Sequence, residues 1–247
     1  MKRRGFIGLV GAGFLAGCDK VAGTKWFGAV AESAQGWHRG LHRALGVARI
    51  DMAPEYEKSD ISPFFRGNGT RSIEDAAYRN SMMRGFFDWR LSVGGMVEQQ
   101  LSLSLEDLFA LPQRTQITRH DCVEGWSAIG EWTGPQLSEI LALAKPMEGA
   151  RFAVFHCADN LYGSDYYESC DMDDAMHPQT IVAHQLNGEP LPERNGAPLR
   201  LRIERQLGYK HAKYLTAIEL VASLDDIGGG KGGYWEDRAG YQWYAGI

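Results

Sequence analysis

Cysteine is scarce in this chain: the 247 residues hold four, at positions 18, 122, 157 and 170, and no two form a CxxC pair. That excludes a disulfide scaffold, and it excludes a zinc or iron–sulfur centre built from thiolates alone. No CxxCH motif occurs, so covalently attached c-type haem is excluded too. Beyond residues 2–4 no Lys/Arg block stands out and the formal charge is −5, which leaves nucleic acid nothing to grip. Internal repeats and low-complexity tracts are absent. The apolar run over residues 6–16 falls well short of the roughly 20 residues a membrane span needs. What is present is 44% hydrophobic and 11% aromatic residues, enough for a packed core in one substantial domain or two small ones.

The chain opens on Lys2-Arg3-Arg4-Gly5-Phe6-Ile7 and the short apolar run that follows, the charged and apolar regions of an export signal. The paired arginines look like the twin-arginine type, which carries folded proteins across a membrane. Leu15-Ala16-Gly17-Cys18 looks like a lipobox, so Cys18 is the expected lipidation site and its acyl chains the expected tether to a membrane surface. Asp19 after it resembles the signal for retention at the inner membrane. The expected organisation is an export signal over residues 1–17, a lipidated linker over 18–60 and one domain over 61–247, exported to the periplasm. Trp37, Leu41 and Leu45 fall on one helical face of the linker, which predicts a short amphipathic helix.

From Trp89 onward alternation takes over. Residues 90–93 and 96–97 flank Gly94-Gly95 and predict a hairpin. Ser104 with Asp107 reads as a helix cap, and residues 114–120 as a strand delivering Cys122 to its exit. Gly134-Pro135 opens a helix carrying Leu137, Ile140, Leu141 and Ala144 on one stripe. Residues 150–157, 199–203 and 214–221 are further strands. Strands outnumber helices without alternating regularly with them, which predicts an α+β fold.

The chemistry centres on Cys122, within Arg119-His120-Asp121-Cys122-Val123-Glu124-Gly125-Trp126-Ser127. An arbitrary free cysteine is usually buried and inert. This one sits among polar and charged residues at a strand end, as a soft metal ligand would, with the remaining ligands supplied by a cofactor. Downstream, Asn195-Gly196-Ala197-Pro198-Leu199-Arg200 and Gly208-Tyr209-Lys210-His211-Ala212-Lys213 form a backbone-rich basic segment of the kind that holds phosphate.

Taken together, Cys-Val-Glu-Gly-Trp-Ser at 122–127 followed by Asn187-Gly188-Glu189-Pro190-Leu191 and the 195–200 motif resembles the sulfite oxidase family of molybdopterin enzymes, over about residues 62–236 and in the same order. The short bacterial members, periplasmic methionine-sulfoxide reductase catalytic subunits among them, are the most similar. The resemblance implies that family's fold, mixed sheets with flanking helices, and a molybdenum–molybdopterin cofactor whose metal takes the Cys122 thiolate. It implies that Asn195, Arg200, Lys213 and the backbone at His211 and Ala212 hold the pterin and its phosphate. Pro63-Phe64-Phe65-Arg66-Gly67-Asn68-Gly69 resembles the first cofactor-contacting loop, with Asn68 as the contact and Gly69 where the family usually has histidine. Cys157 stands where the reductase branch commonly has a cofactor-touching threonine; pairing with Cys170 is the alternative. Tyr167 matches a substrate-side tyrosine that donates to oxygen at the metal, while Tyr162 and Tyr166 read as packing residues.

The implied activity is two-electron oxygen-atom transfer on a small sulfur compound. Sulfoxide reduction is the first reading and sulfite oxidation the second, because the arginine that often precedes the metal cysteine is Asp121 here, unless Arg119 substitutes for it. Without a haem motif, electrons come from or go to a separate partner, a cytochrome or a quinone-linked membrane subunit. Two other classes stay open: a cysteine-nucleophile hydrolase using His120, His156 or His211 as base, and a binding lipoprotein that has lost its cofactor.

Overall fold

The computed structural model describes residues 24, 26, 30, 33, 36, 37, 40, 41 and 52–247. The export signal, Cys18 and Leu45 lie outside the described residues. Two compact units are present, Met1–Asp51 and Met52–Ile247. In the first, Trp26, Val30, Trp37 and Leu41 are helical and exposed. The second takes in residues 52–60, expected in the linker: the Tyr56 N–H donates to the Ile117 carbonyl and Glu55 bridges Thr118.

The larger unit begins with helix α1 (Ala76–Met83), then strands β1 (Arg90–Gly95) and β2 (Leu101–Ser104). Helix α2 (Leu105–Ala110) follows, started by the predicted cap: the Ser104 hydroxyl accepts from the Asp107 N–H at 3.1 Å and Asp107 accepts from the Ser104 N–H at 2.8 Å. Next come β3 (Gln113–Cys122), β4 (Trp126–Pro135) and α3 (Leu137–Ala144). The predicted α3 stripe is fully buried at Leu137, Ile140, Leu141 and Ala144; each of its large side chains contributes roughly 1.5–3 kcal/mol by leaving water. The chain continues through β5 (Phe152–Leu161), β6 (Ser164–Asp171), α4 (Met172–Ala175), β7 (Ile181–Ala183), β8 (Gln185–Leu186), β9 (Glu189–Pro190), β10 (Arg200–Arg202), β11 (Leu215–Val221) and α5 (Tyr234–Ala239).

A five-stranded sheet runs β2-β1-β11-β5-β6, with β1 parallel to β11 and the other pairs antiparallel. A four-stranded sheet runs β3-β4-β8-β9, and β10 pairs with β7. Leu91, Val93, Phe155, Ile218 and Leu220 pack with α3 in the main core, and Phe65, Trp132, Ile181 and Leu186 form a second cluster. The hairpin expected across Gly94-Gly95 is corrected: β1 pairs with β2, Arg90 opposite Ser104 and Val93 opposite Leu101, while the Met96 N–H donates to Leu220. The pairing partner therefore lies beyond a longer connection than two glycines. Asn187-Gly188, a pair that by itself reads as a turn signal, makes the tight β8–β9 turn, with both residues at positive φ.

Candidate functional site

β3 alternates so that Gln116, Thr118, His120 and Cys122 face inward while Arg119 is exposed. Cys122 is its last residue, and it reaches a cleft whose empty space, the open mouth included, is about 720 Å³. Val123 and Glu124 follow Cys122 in the lining, Asn68, Gly69 and Thr70 line it from the loop held by Lys213, Asp159, Gly208, His211 and Lys213 form its buried floor, and Leu161, Tyr166, Tyr209, Trp235 and Tyr241 complete it. Burial pushes the Cys122 thiol above its ordinary value, while the Glu124 N–H and the Arg200 guanidinium pull the other way. Arg119 does not replace the missing cation beside Cys122: it pairs with Asp121 at 2.9 Å on the opposite face of the strand.

Beneath the floor lies an unusual concentration of buried cations. Arg200 is fully buried, its guanidinium 5.3 Å from the Trp132 ring, and it donates to the Asn195 carbonyl at 3.2 Å and to Asn68 Oδ1 at 3.3 Å. Burial and the neighbouring Arg202 hold it down at about 9. Lys213 Nζ donates to the carbonyls of Asn68 at 2.6 Å, Arg194 at 3.3 Å and Thr70. Burial, reinforced by Arg200 and opposed by Asp159, lowers it to about 7. Arg202 has a partner of its own in Glu204, at 2.9 Å through Nε; Arg200 and Lys213 have only neutral acceptors. Unpaired buried charge is costly, so this floor is built for an anion.

Orphaned polar atoms point the same way. Arg200 Nε, Asn195 Oδ1, Asp159 Oδ1, His120 Nε2 and His211 Nδ1 are buried without a hydrogen-bond partner. Arg202 donates to His120 Nδ1 at 3.0 Å, which leaves Nε2–H as the His120 donor. His211 Nε2–H donates to the Ile203 carbonyl at 2.8 Å, which leaves Nδ1 as an acceptor. Burial first, then the surrounding cations, holds both imidazoles well below their ordinary value and neutral. Gly208 closes the turn against this pair, since a Cβ there would sit 2.3 Å from His120 Cε1. Gly208→Ala is expected to displace His120 and to lower cofactor content at least severalfold, read as molybdenum per folded chain.

A family model described as oxidoreductase molybdopterin binding domain matches residues 81–226. The chain belongs to this family. Relatives include a putative protein-methionine-sulfoxide reductase subunit of Azospira oryzae, 39% identical over 79% of this chain and 68% of its own length. The protein-methionine-sulfoxide reductase catalytic subunits of Xanthomonas axonopodis pv. citri and Campylobacter jejuni are 37% and 34% identical, over 75% and 54% of this chain and 68% and 49% of their own lengths. The sulfane dehydrogenase SoxCD of Paracoccus pantotrophus has the same fold, with a TM-score of 0.51 at 24% identity over 56% of this chain and 39% of its own.

As a molybdopterin oxidoreductase, the protein takes a molybdenum–molybdopterin cofactor, and the residues present fit it. Arg200 and Lys213 would offer unneutralised positive charge to a phosphate, Asn195, His120 and His211 orphaned polar atoms to the pterin edge, and Cys122 the soft sulfur; Cys122, His211 and Lys213 line the cleft itself, and Arg200, Asn195 and His120 are buried outside its lining. Asn68, Asn195, Arg200 and Lys213, predicted from separate motifs, are joined by direct hydrogen bonds. Gly69, at positive φ, lines the cleft beside them.

Other expected residues stand elsewhere. The His211 and Ala212 N–H groups are taken by turn hydrogen bonds to Gly208 and Lys210, so His211 reaches the cleft with its ring and Ala212 packs in the core. The Cys157 side chain also packs in the core rather than lining the cleft. It cannot pair with Cys170, which lies opposite Ala153 on β5, four residues or about 13 Å away. Tyr167 lies outside the cleft lining, with its hydroxyl donating to Asp237, whereas Tyr166 packs against the core as expected and also lines the cleft, donating to the Tyr209 carbonyl at 2.8 Å. The two alternate across β6, so only one can face the site. Asp159 and Tyr241 were not singled out, whereas Trp235 falls in Gly233-Tyr234-Trp235-Glu236-Asp237-Arg238, a segment that resembles one in the short family members and was expected to close over the domain. Asp159 shares its strand face with Cys157, and that spacing was the one local hint of it.

Proposed function

We propose that this protein reduces sulfoxides to thioethers. The sulfur–oxygen bond breaks, two electrons reduce the sulfur, and two protons carry the oxygen away as water. One observation carries the choice over sulfite oxidation. Among the residues lining the cleft, the single cation is Lys213, buried on the floor that fits the cofactor's phosphate, and the charged side chain nearest Cys122 in sequence is the exposed acid Glu124. Anionic sulfite would meet a carboxylate rather than a cation beside Cys122, whereas a sulfoxide is neutral and carries only a polar oxygen. The names of the relatives support the same reading. Loaded protein supplied with an artificial electron donor is expected to reduce methionine sulfoxide; turnover of sulfite with an acceptor, and of no sulfoxide, would overturn the assignment.

When bound, the cofactor supplies two-electron redox chemistry at a metal ligated by Cys122. The chain's own work is to hold the sulfoxide against that centre, exclude water and deliver protons. Asp159 is placed for the last task. Its carboxyl is buried at the cleft floor with Oδ1 unpartnered, and burial raises it above its ordinary value despite the opposing Thr70 and Lys213. A carboxyl with a raised value keeps its proton to higher pH, so turnover should fall as pH climbs through it. Asp159→Asn is expected to lower kcat by about 10²-fold or more and to remove that limb of the pH profile, with molybdenum content unchanged.

Electrons are proposed to come from a separate protein, a cytochrome or a quinone-linked membrane subunit. The twin-arginine-like signal and the lipobox support export to the periplasm and lipid anchoring through Cys18.

A further inference from the structure

A line of buried polar side chains runs behind the cleft floor and ends at His120. Gln116, Thr118 and His120 occupy alternate positions of β3, on the inward face that finishes at Cys122. Arg202 on β10 and Glu204 just beyond it meet them, and all five are buried. Gln116 Nε2 donates to Glu204 Oε1 at 2.8 Å and to the Gln179 carbonyl at 3.0 Å, and its Oε1 accepts from Arg114 Nε at 2.7 Å. Glu204 accepts from Arg202 twice, from Nε at 2.9 Å and from Nη2. The flat of the Arg202 guanidinium lies 4.3 Å from the Trp132 ring centroid. Nη1 remains, and it donates to His120 Nδ1 at 3.0 Å.

A guanidinium has donors only and keeps its protons inside a protein, so this line cannot pass a proton along. What it can do is dictate a tautomer. A proton on His120 Nδ1 would face the Nη1–H head-on, donor against donor, so the ring proton stays on Nε2. The neighbouring ring needs no such help. His211, edge-on to His120 with centroids 5.1 Å apart, has its Nε2 fixed by the backbone carbonyls of Ile203 at 2.8 Å and Gln206 at 3.1 Å. His120 depends on a side chain for the same purpose. Its ring is wedged against Phe65 at 5.6 Å and Trp126 at 5.4 Å, directly behind the cleft-lining Gly208. The two arginines of β10 therefore differ in their work: Arg200 has only neutral acceptors, while Arg202 is committed to Glu204 and His120.

Given the fit of the cofactor to this site, and whichever sulfur compound is turned over, we propose that Arg202, held by Glu204 and Gln116, is a positioning residue. It fixes the tautomer and orientation of His120, and through that ring the grip of the site on its cofactor. With Arg202 in place Nε2 carries a hydrogen; without it, either nitrogen can. Partners that orient a group in this way typically change metal affinity or activity by roughly 10–100-fold.

The test uses the full chain, isotope-labelled in its histidine nitrogens for magnetic resonance, with molybdenum per folded chain measured alongside. Arg202→Met combined with Glu204→Gln removes both charges together, an exchange that buried pairs often tolerate. In that protein the His120 Nδ1 resonance should leave the position of a hydrogen-bonded acceptor while the His211 resonances stay, and molybdenum content should fall about tenfold. His120→Phe keeps an aromatic ring against Phe65 and Trp126 and should lower molybdenum to a similar degree. Adding the pair replacement to His120→Phe should lower it little further, because Arg202 acts through the ring. Unchanged His120 resonances in the pair replacement, or losses that multiply when it is combined with His120→Phe, would overturn the proposal. The wild-type spectrum decides even where the pair replacement does not fold: a proton on His120 Nε2 beside a hydrogen-bonded Nδ1 supports the assignment, and a proton on Nδ1 overturns it.

Discussion

Cys122→Ser is expected to abolish turnover while leaving the fold in place. Loss of a group that merely orients a metal ligand costs roughly 10–100-fold, so loss of the ligating sulfur itself should cost more than about 100-fold. The fold should survive because Cys122 is the last residue of β3, and the strand is held along its length by pairs with β4 from Gln113 opposite Pro135 to Cys122 opposite Trp126. A serine in the same cavity removes little packing. The floor proposed to hold the pterin, Asn68, Asn195, Arg200 and Lys213, is joined by its own hydrogen bonds and not through the thiol, so pterin content should hold up better than activity. The measurements are sulfoxide turnover, circular dichroism and pterin released on denaturation. Normal turnover by the serine variant would remove Cys122 from the chemistry altogether. It would also reopen the question of whether His120 or His211 serves some other nucleophile, since both are buried beside the cleft; His156 is not, being paired with Glu219 at 3.0 Å on the sheet.

What could be read from the chain was local. The Ser104–Asp107 cap, the α3 stripe and the exit of β3 at Cys122 each depend on residues within a few positions of one another, and all three stand in the structure. The Asn187-Gly188 turn is of the same kind. β4 was not anticipated because Gly130, Gly134 and Pro135 depress its strand propensity. It forms nonetheless, because ten consecutive pairs with β3 outweigh that preference. The choice between Tyr166 and Tyr167 depended on register. Tyr166 and Tyr167 lie beside an irregularity in the β5–β6 pairing between His156 and Asn160, and nothing in the run of tyrosines announces which of the two lines the cleft. The hydrogen bonds from Arg200 to Asn68 and from Lys213 to Asn68 span 132 and 145 residues; only the family resemblance suggested that they converge. Trp235 was legible only through the family resemblance of residues 233–238, and Tyr241 had no motif at all; both line the cleft.

Arg200→Met should separate stability from function in opposite directions. The wild-type guanidinium is fully buried without a carboxylate partner, and its depressed value of about 9 reflects burial together with repulsion from Arg202. In cofactor-free protein that arrangement costs folding energy. A methionine of similar reach keeps the packing on Trp132 and removes the charge, and exchanges of this kind are often neutral or stabilising by roughly 1–4 kcal/mol. The hydrogen bonds to the Asn195 carbonyl and Asn68 Oδ1, at 3.2 and 3.3 Å, are long and offset only part of the gain. The cofactor-free variant should therefore melt at the same temperature as wild type or higher, and its Lys213, freed from the repulsion of Arg200, should regain its proton at higher pH. Cofactor retention should move the other way, because the floor loses the planar donor that matches a phosphate. Loaded wild type should melt above its cofactor-free form through binding to the folded state alone, and the variant should show little of that difference. Thermal melts of both proteins, with and without cofactor, together with molybdenum content, check both halves. A variant that is destabilised without cofactor yet retains it normally would mean that Arg200 serves the fold, and that the phosphate is held elsewhere.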